Sequence, residues 1–251
     1  MMSSIYSKSW RLIVCAALIT TACKTYIPVT EQSALVKISA LEKDSAVVAY
    51  YRPFKDSLDK MMKVPLAELS ADLTKQLPES TLGNHLSDIL RKKARDYTQQ
   101  PIDVAILNYG GIRVPSLAKG TLRVEHAYWV MPFDNYVVVQ QLTGQQLRDF
   151  CDSMAMKKGW PVAGLQFIIA PNNTAVHIKV GGKPLDTSAT YNVALNDYVA
   201  NGGDGMTFLK NIPQRETGKL LRDAIIEYWQ EQAAAHQPVQ AILENRISYA
   251  Q

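Results

Sequence analysis

Apolar residues recur along the chain with two periods, one typical of buried strands and one typical of amphipathic helices. The helical period predicts helices over 44–62, interrupted at Pro53, and over 80–97, 144–156 and 218–235. Because these elements do not follow a regular strand–helix–strand order, we predict an α+β fold with mixed sheets covered by helices. Short apolar runs bounded by proline, glycine or asparagine predict strands at 102–107, 120–124, 136–142, 164–170, 175–180, 191–196 and 242–249.

The N-terminal residues have the pattern of a bacterial export signal. Lys8 and Arg11 make the start positive, and the apolar run over 12–19 is too short to span a bilayer. Small residues precede Cys23, and together they resemble a lipobox, in which the peptidase cleaves before the cysteine and lipid is attached to it. An ordinary secretory signal with an incidental cysteine is the alternative. In either case we expect the mature protein to leave the cytoplasm.

The export signal divides the chain into three predicted parts. We expect a lipoprotein-type signal peptide over 1–22, a tether over 23–43 and one folded domain over 44–251. The mature domain would be lipid-anchored in the bacterial cell envelope, on the periplasmic or surface side of a membrane. It would keep one unmodified cysteine, Cys151, which we interpret as buried packing on a helix rather than as a nucleophile.

The charge composition argues against nucleic acid as a partner. The net charge is +4, from 27 basic and 23 acidic residues, which is too mild for a nucleic-acid-binding domain. The densest basic group, at 91–95, falls on a predicted helix, and we interpret it as a solvated face.

Two predicted loops carry polar side chains among glycines, each directly after a strand. The first contains Asn108 and Arg113 with Gly111 between them, and the second contains Asp204 beside Gly203. Arginine presents a planar fork suited to phosphate, and asparagine offers both a donor and an acceptor. Glycines allow the backbone to approach a ligand closely. These five residues are therefore candidates for ligand binding.

Two aromatic residues follow the same kind of pattern. Phe133 lies after a proline turn and Tyr198 lies at a strand end, so the pair could hold a flat ring between them. Each stacked face would contribute about 1–3 kcal/mol. The alternatives are that Phe133 is a core residue, that Arg113 forms a surface salt bridge, and that Asp204 belongs to an ordinary turn with Tyr198 half-buried nearby.

Six segments of the chain carry motifs that occur in one family in this order. They read ESTLGNHLSD at 79–88, NYGGIR at 108–113, MPFDN at 131–135, VAGLQF at 162–167, GKPLD at 182–186 and NDYVANGGDG at 196–205. Together they resemble the C-terminal domain of the 5′-nucleotidases, a family that includes UDP-sugar hydrolases and 2′,3′-cyclic phosphodiesterases. The resemblance covers nearly all of the mature chain and implies the same fold.

The resemblance also implies that the domain binds the nucleoside part of a nucleotide. It implies that Phe133 and Tyr198 stack on the two faces of the base and that Asp204 binds the ribose hydroxyls. It further implies that Asn108 reaches the base or ribose and that Arg113 approaches the phosphate.

The segment before Glu79 departs from the family pattern. The family binds phosphate with a further arginine there, whereas this chain has Gln76 or Leu77 at that place. We therefore expect phosphate binding to be more affected by this departure than base and ribose recognition.

A second departure concerns the catalytic metals, which the family holds in an N-terminal metallophosphoesterase domain. The residues before Asp44 are too few for such a domain. None of the four histidines lies in one of the family's metal motifs: His85, His126, His177 and His236. We therefore expect no catalytic residue, no metal and no other cofactor in this chain, with divalent metals only in a separate metallophosphoesterase chain.

Three functional hypotheses remain. The preferred one is a split 5′-nucleotidase-type hydrolase of nucleotide catabolism, in which this chain recognises the nucleoside and a partner supplies the metals. That hypothesis predicts a large apolar patch where the partner docks. The second is a free-standing envelope lipoprotein that binds nucleosides or nucleotides. The third is an interaction module whose loops are vestigial.

Overall fold

The computed structural model describes residues 44–250, so the predicted signal peptide, the tether and Cys23 lie outside the described residues. Six α-helices occur within this range. They are α1 (Ser45–Met62), α2 (Thr81–Thr98), α3 (Val124–Val130), α4 (Gly144–Met156), α5 (Asp197–Ala200) and α6 (Leu221–Ala234).

The strands form four sheets. They are β1 (Pro65–Leu69), β2 (Leu73–Thr74), β3 (Val104–Ile106), β4 (Ser116–Leu117), β5 (Gly120–Arg123), β6 (Tyr136–Thr143), β7 (Val162–Ala163), β8 (Leu165–Ile169), β9 (Ala175–Val180), β10 (Lys183–Pro184), β11 (Thr190–Asn196), β12 (Gln214–Leu220) and β13 (Ile247–Tyr249). The main sheet has the order β12-β6-β11-β3-β7, and a second has the order β10-β9-β8-β13. The pairs β1-β5 and β2-β4 complete the set.

Both large sheets mix parallel and antiparallel neighbours. In the main sheet β11 is parallel to β3, with Val193 opposite Val104, and antiparallel to β6. In the second sheet β13 is parallel to β8, and β8 is antiparallel to β9. The predicted α+β fold with mixed sheets is therefore confirmed.

The main sheet is covered on both faces, which explains why its strands read as apolar runs. Along β6, Val137 and Val139 pack into one hydrophobic cluster with side chains of α2 and α6. Val138 points the other way and packs into a second cluster with side chains of α4, including Phe150 and Cys151. Cys151 is a buried free thiol, as predicted.

The helix starts follow from local capping. Ser80 precedes α2, and its hydroxyl accepts a hydrogen bond from the Gly83 N–H at 3.0 Å. Thr143 precedes α4 and forms a capping box with Gln146. Each cap satisfies an N–H of the first helical turn that has no partner within its own helix.

The basic group at 91–95 does more than form a solvated face. Lys93 is buried, and its Nζ pairs with Glu227 at 2.7 Å and with Glu231 at 2.8 Å. These ion pairs join α2 to α6. The solvated interpretation is therefore wrong for Lys93, because the facing helix supplies two carboxylates that its own helix does not show.

Three predicted boundaries are wrong. Pro53 does not interrupt α1, since the carbonyl that the proline leaves unpaired belongs to Ala49, which is exposed and open to water. The last strand begins only at Ile247, because Arg246 turns inward and donates to the Val162 carbonyl at 2.7 Å. The last helix starts after Leu220 rather than at Gly218.

Several elements were not predicted, and the two longest of them are an edge strand and a helix. The segment before α6 forms the edge strand β12, which pairs with β6 and has few apolar residues to reveal it. The helix α3 lies directly after β5 and leads into the MPFDN segment.

Candidate functional site

The two polar loops meet because β3 and β11 are adjacent parallel strands, so their carboxyl ends lie at the same edge of the sheet. Asn108 follows β3 and is buried, and Asn196 ends β11 and is buried as well. The Nδ2 of Asn196 donates to Oδ1 of Asn108 at 3.0 Å. The same Asn196 side chain accepts from the Val199 N–H at 2.9 Å and so starts α5.

The second loop is more ordered than a glycine turn. Tyr198 lies on the short helix α5, and the chain then turns at Gly202, whose φ is 91°. Asp204 itself adopts a left-handed conformation with φ 51°. Such a conformation is uncommon for a residue other than glycine and is found at ligand sites.

The carboxylate of Asp204 is held from both sides. Nδ2 of Asn108 donates to its Oδ2 at 2.7 Å, and the hydroxyl of Tyr198 donates to its Oδ1 at 3.1 Å. The Asp204 N–H also donates to the Tyr198 hydroxyl oxygen at 3.2 Å. Each carboxylate oxygen keeps further acceptor capacity. The arrangement therefore presents a fixed carboxylate that can accept two more hydrogen bonds.

Two of the candidate glycines are required by close contacts. A Cβ atom at Gly203 would lie 2.5 Å from the ring of Tyr198, and one at Gly111 would lie 2.7 Å from Oδ1 of Asn108. A side chain at either place would displace a group that holds Asp204.

A cavity of 310 Å³ lies between the two loops and the MPFDN segment. Phe133 and Tyr198 border it and leave 42% and 46% of their surfaces exposed. The core interpretation of Phe133 is therefore wrong. Six of the seven predicted ligand-binding residues line the cavity: Asn108, Gly111, Arg113, Phe133, Tyr198 and Asp204. The seventh, Gly203, supports the Tyr198 ring.

Arg113 lies beside Phe133, with its Cζ atom 5.6 Å from the ring centroid. Its Nη1 donates to the Gly110 carbonyl at 3.3 Å. Among residues 44–250, no carboxylate lies within 4.0 Å of its guanidinium, so the salt-bridge alternative is not observed there. Asn135 also lines the cavity and was not singled out, although it belongs to the MPFDN motif.

The sequence model described as "5′-nucleotidase, C-terminal domain" matches residues 61–211. The chain belongs to this family. The matched range contains all seven predicted ligand-binding residues, so the domain carries its candidate site within the part that defines the family.

Individual relatives agree with this assignment. A 5′-nucleotidase of Vibrio cholerae is 26% identical over 188 residues, which are 70% of this chain and 32% of the relative. The trifunctional nucleotide phosphoesterase of Bacillus subtilis is 33% identical over 172 residues, or 61% of this chain and 12% of the relative. The crystal structure of a 5′-nucleotidase precursor from Thermus thermophilus superposes with a TM-score of 0.69 at 31% identity, covering 81% of this chain and 42% of that one.

The chain spans about a third of the length of the Vibrio relative. Within residues 44–250 of this 5′-nucleotidase-type domain, no three His, Cys, Asp or Glu side chains cluster as metal ligands would. The buried His85 accepts a hydrogen bond from Trp229 Nε1 at 3.0 Å, and burial lowers its pKa to about 4. Over the same described range, no helix is both long and apolar enough to cross a membrane.

Proposed function

We propose that this 5′-nucleotidase-type domain binds nucleosides and nucleotides. The observation that carries the proposal is the Asp204 carboxylate, which Asn108 and Tyr198 hold at a cavity bordered by two half-exposed aromatic rings. The names of the relatives, 5′-nucleotidase and nucleotide phosphoesterase, support the same ligand class.

Each part of the ligand has a counterpart in the cavity. A base would stack on Phe133 and Tyr198, and the two hydroxyls of a ribose would donate to Asp204. The cavity volume of 310 Å³ is at the small end of ligand pockets, which suits one nucleoside. Both ends of the Asn108 amide are already bonded within the protein, to Asn196 and Asp204. We therefore assign Asn108 to positioning Asp204 rather than to direct contact with the base.

The test is calorimetric titration of the full chain with adenosine, 2′,3′-dideoxyadenosine and UDP-glucose. Wild-type protein should bind adenosine, and Phe133→Ala and Tyr198→Ala should each weaken binding by about tenfold, as the loss of one stacked face does. Trp129→Ala is the matched control, because Trp129 is also an exposed aromatic residue, 52% exposed, but does not line the cavity. Absence of binding by the wild type would instead favour the vestigial interaction module.

We further propose that the domain belongs to a split hydrolase, whose metals are held by a separate metallophosphoesterase chain. The helix α1 supports this proposal. Its large apolar side chains fall at helical spacing on one stripe, and within residues 44–250 none of the helix is buried. The stripe consists of Tyr50, Phe54, Leu58 and Met61.

The position of α1 favours a metallophosphoesterase chain as the protein that covers this stripe. The helix ends at Met62, and the match to the family's C-terminal domain begins at residue 61. Because the matching family model is that of a C-terminal domain, the part of a longer protein that precedes such a domain would connect close to this helix. An exposed apolar stripe at that junction is where a separately encoded catalytic half would dock.

The partner is tested by affinity capture and by reconstitution. A metallophosphoesterase from the same organism should copurify with the wild-type chain, and AMP hydrolysis should require both proteins and a divalent metal. Phe54→Glu should abolish copurification, whereas Lys60→Glu on the same helix should not. Adenosine binding by the chain together with failure to capture any metallophosphoesterase would support the free-standing binding protein.

Anchoring at the cell envelope also remains a proposal, resting on the sequence around Cys23. Metabolic labelling with a fatty acid should mark the wild-type chain and should fail for Cys23→Ser. Labelling of the variant would contradict lipid attachment at this cysteine.

A further inference from the structure

Asn201 precedes Gly202 in the loop that leads from α5 to Asp204, and the two form the only Asn-Gly pair in the chain. In such a pair the backbone nitrogen of the glycine can attack the side-chain amide of the asparagine, because the glycine has no side chain to shield it. Glycine is required at 202, since its φ is 91° and a Cβ atom there would lie 3.3 Å from the Cα atom of Thr207. The turn that presents Asp204 therefore needs the residue that makes Asn201 reactive.

The side chain of Asn201 is unrestrained, whereas the backbone around it is held. Asn201 is exposed, and among residues 44–250 its side-chain amide forms no hydrogen bond. The Asn201 N–H donates to the Asp197 carbonyl, and the Gly202 N–H donates to the Val199 carbonyl, each at 2.9 Å. The nitrogen that would attack is therefore bonded within the folded loop.

The backbone conformation also keeps the reacting atoms apart. Ring closure joins the Gly202 nitrogen to Cγ of Asn201, so this nitrogen and the Asn201 Cβ atom must lie on the same side of the Cα–C bond. At the observed ψ of 16° they lie on nearly opposite sides. Rotation to the reactive ψ breaks the hydrogen bond to Val199, so the reaction requires the loop between Tyr198 and Asp204 to open.

The reaction consists of ring closure followed by hydrolysis. The Gly202 nitrogen bonds to Cγ of Asn201, its proton passes through solvent to Nδ2, and the Cγ–Nδ2 bond breaks to release ammonia and leave a succinimide. Water then opens this ring at either carbonyl and gives aspartate or isoaspartate at 201. In isoaspartate the main chain runs through Cβ, which adds one backbone atom between Tyr198 and Asp204.

That extra atom falls between two residues that hold each other. The Tyr198 hydroxyl donates to Oδ1 of Asp204 at 3.1 Å and accepts from the Asp204 N–H at 3.2 Å. We propose that Asn201 is a site of spontaneous deamidation, controlled by opening of this loop, and that its isoaspartate product no longer holds Asp204 at the cavity. The consequence for binding rests on the proposed function, whereas the chemical step does not.

Peptide mapping by mass spectrometry measures the chemical step. The full chain is incubated at mildly alkaline pH, where the attacking nitrogen loses its proton more readily, both folded and unfolded in guanidinium chloride. Deamidation at Asn201 should be about tenfold slower in the folded chain, because the loop must open first. Asn173 is the internal control and should change little in either state, since it is also exposed but precedes a threonine.

Adenosine tests the link between this loop and the cavity. If the open loop does not bind the ligand, adenosine at about a hundred times its dissociation constant should slow deamidation by about a hundredfold. Wild-type chain in which Asn201 has become isoaspartate should bind adenosine about tenfold more weakly, as expected when one stacked face is displaced. Freshly purified Asn201→Asp gains the charge but no backbone atom and should bind normally. Asn201→Gln should keep its affinity on ageing, because its longer side chain closes a ring far more slowly.

Each part of the proposal has an outcome that would contradict it. No deamidation at Asn201 in the unfolded chain would overturn the assignment of the site. Equal rates in the folded and unfolded chain, or a rate unchanged by adenosine that does bind, would overturn control by loop opening. Failure of fresh wild-type chain to bind adenosine would overturn the proposed function, and the folded-to-unfolded comparison would still decide whether Asn201 reacts as proposed.

Discussion

Arg222 holds the Phe133 loop from both sides by bonding to the residues that flank the aromatic ring. Its Nη2 donates to Asp134 Oδ1 at 2.7 Å, and its Nη1 donates to the Pro132 carbonyl at 3.3 Å. The N–H of Leu221, one residue earlier in the first turn of α6, donates to the Asn135 carbonyl at 2.8 Å. The start of the last helix therefore sets the position of one wall of the candidate cavity.

Replacing Arg222 should lower nucleoside affinity while changing the free energy of unfolding only slightly. The guanidinium is buried and its Nε has no partner within the described residues, while the paired Asp134 is largely exposed. Arg222→Met removes a weak pair and a buried unpaired donor together, so the free energy of unfolding should change by only about 1 kcal/mol. Adenosine affinity should fall by about 1–3 kcal/mol, because the Phe133 face is no longer fixed.

Chemical denaturation and calorimetry on the same Arg222→Met protein measure the two quantities. Arg222→Lys, which keeps the charge but not the fork that reaches both acceptors, should also lose affinity. Unchanged adenosine affinity in both variants would show that the loop holds Phe133 without this clamp.

The hydroxyl of Tyr198 should matter only for ligands that have ribose hydroxyls. Tyr198→Phe keeps the ring but removes the hydrogen bond to Asp204, so the carboxylate is less well fixed. Adenosine binding should weaken by about 1 kcal/mol, the usual contribution of one hydrogen bond. Binding of 2′,3′-dideoxyadenosine should be unchanged, since it makes no contact with Asp204. An equal loss for both ligands in titration calorimetry would show that the hydroxyl serves stacking instead.

The contact between Gly203 and Tyr198 predicts a non-additive pair of substitutions. Gly203→Ala places a Cβ atom 2.5 Å from the Tyr198 ring and should destabilise the fold by about 1–3 kcal/mol. In the double variant Gly203→Ala with Tyr198→Ala the obstructing ring is absent, so the added cost of the Gly203 change should largely disappear. Thermal unfolding of the four proteins measures the coupling. If the effects of the two substitutions on stability simply add, the cost of Gly203→Ala comes from the loop backbone and not from contact with the Tyr198 ring.

Much of the fold could be predicted because most elements bury an apolar face that shows in the sequence. The main exception, β12, lies at the edge of the main sheet and contains few buried apolar side chains, so no alternating pattern marks it. The helix α3 is short and merges with the segment before Phe133. The path of α1 through Pro53 depends on solvent exposure, which a sequence pattern does not reveal.

The candidate residues could be named from motifs, but their connections could not. Asn108 and Asp204 are 96 positions apart in the chain, and they meet only because β3 and β11 are parallel neighbours. Arg222 was missed for the same reason. It acts on a loop that is distant in sequence, and it belongs to none of the six motifs.

The ion pairs between α2 and α6 predict how stability changes in acid. Burial raises the pKa of the Glu227 and Glu231 carboxyls, but hydrogen bonds and nearby positive charge outweigh it, so both pKa values are lowered from 4.5. Lys93 donates to both carboxylates, with help from Tyr97 at Glu227 and from Lys92 at Glu231. A carboxyl with a lowered folded-state pKa contributes stability above its unfolded pKa and loses that contribution as the pH falls through the folded value. The loss should therefore occur below about pH 4.5.

Lys93→Met should reduce this acid sensitivity, because the carboxyl pKa values would return toward their unfolded values. The measurement is urea unfolding of both proteins between pH 7 and pH 3. The free energy of unfolding of the wild type should fall more steeply below about pH 4.5 than that of the variant. Lys63→Met, directly after α1, is the control, since Lys63 is exposed and among residues 44–250 its ion pair is with Asp59 of that helix. If the free energy of unfolding falls equally with pH in the wild type and in Lys93→Met, carboxylates other than Glu227 and Glu231 cause the loss of stability in acid.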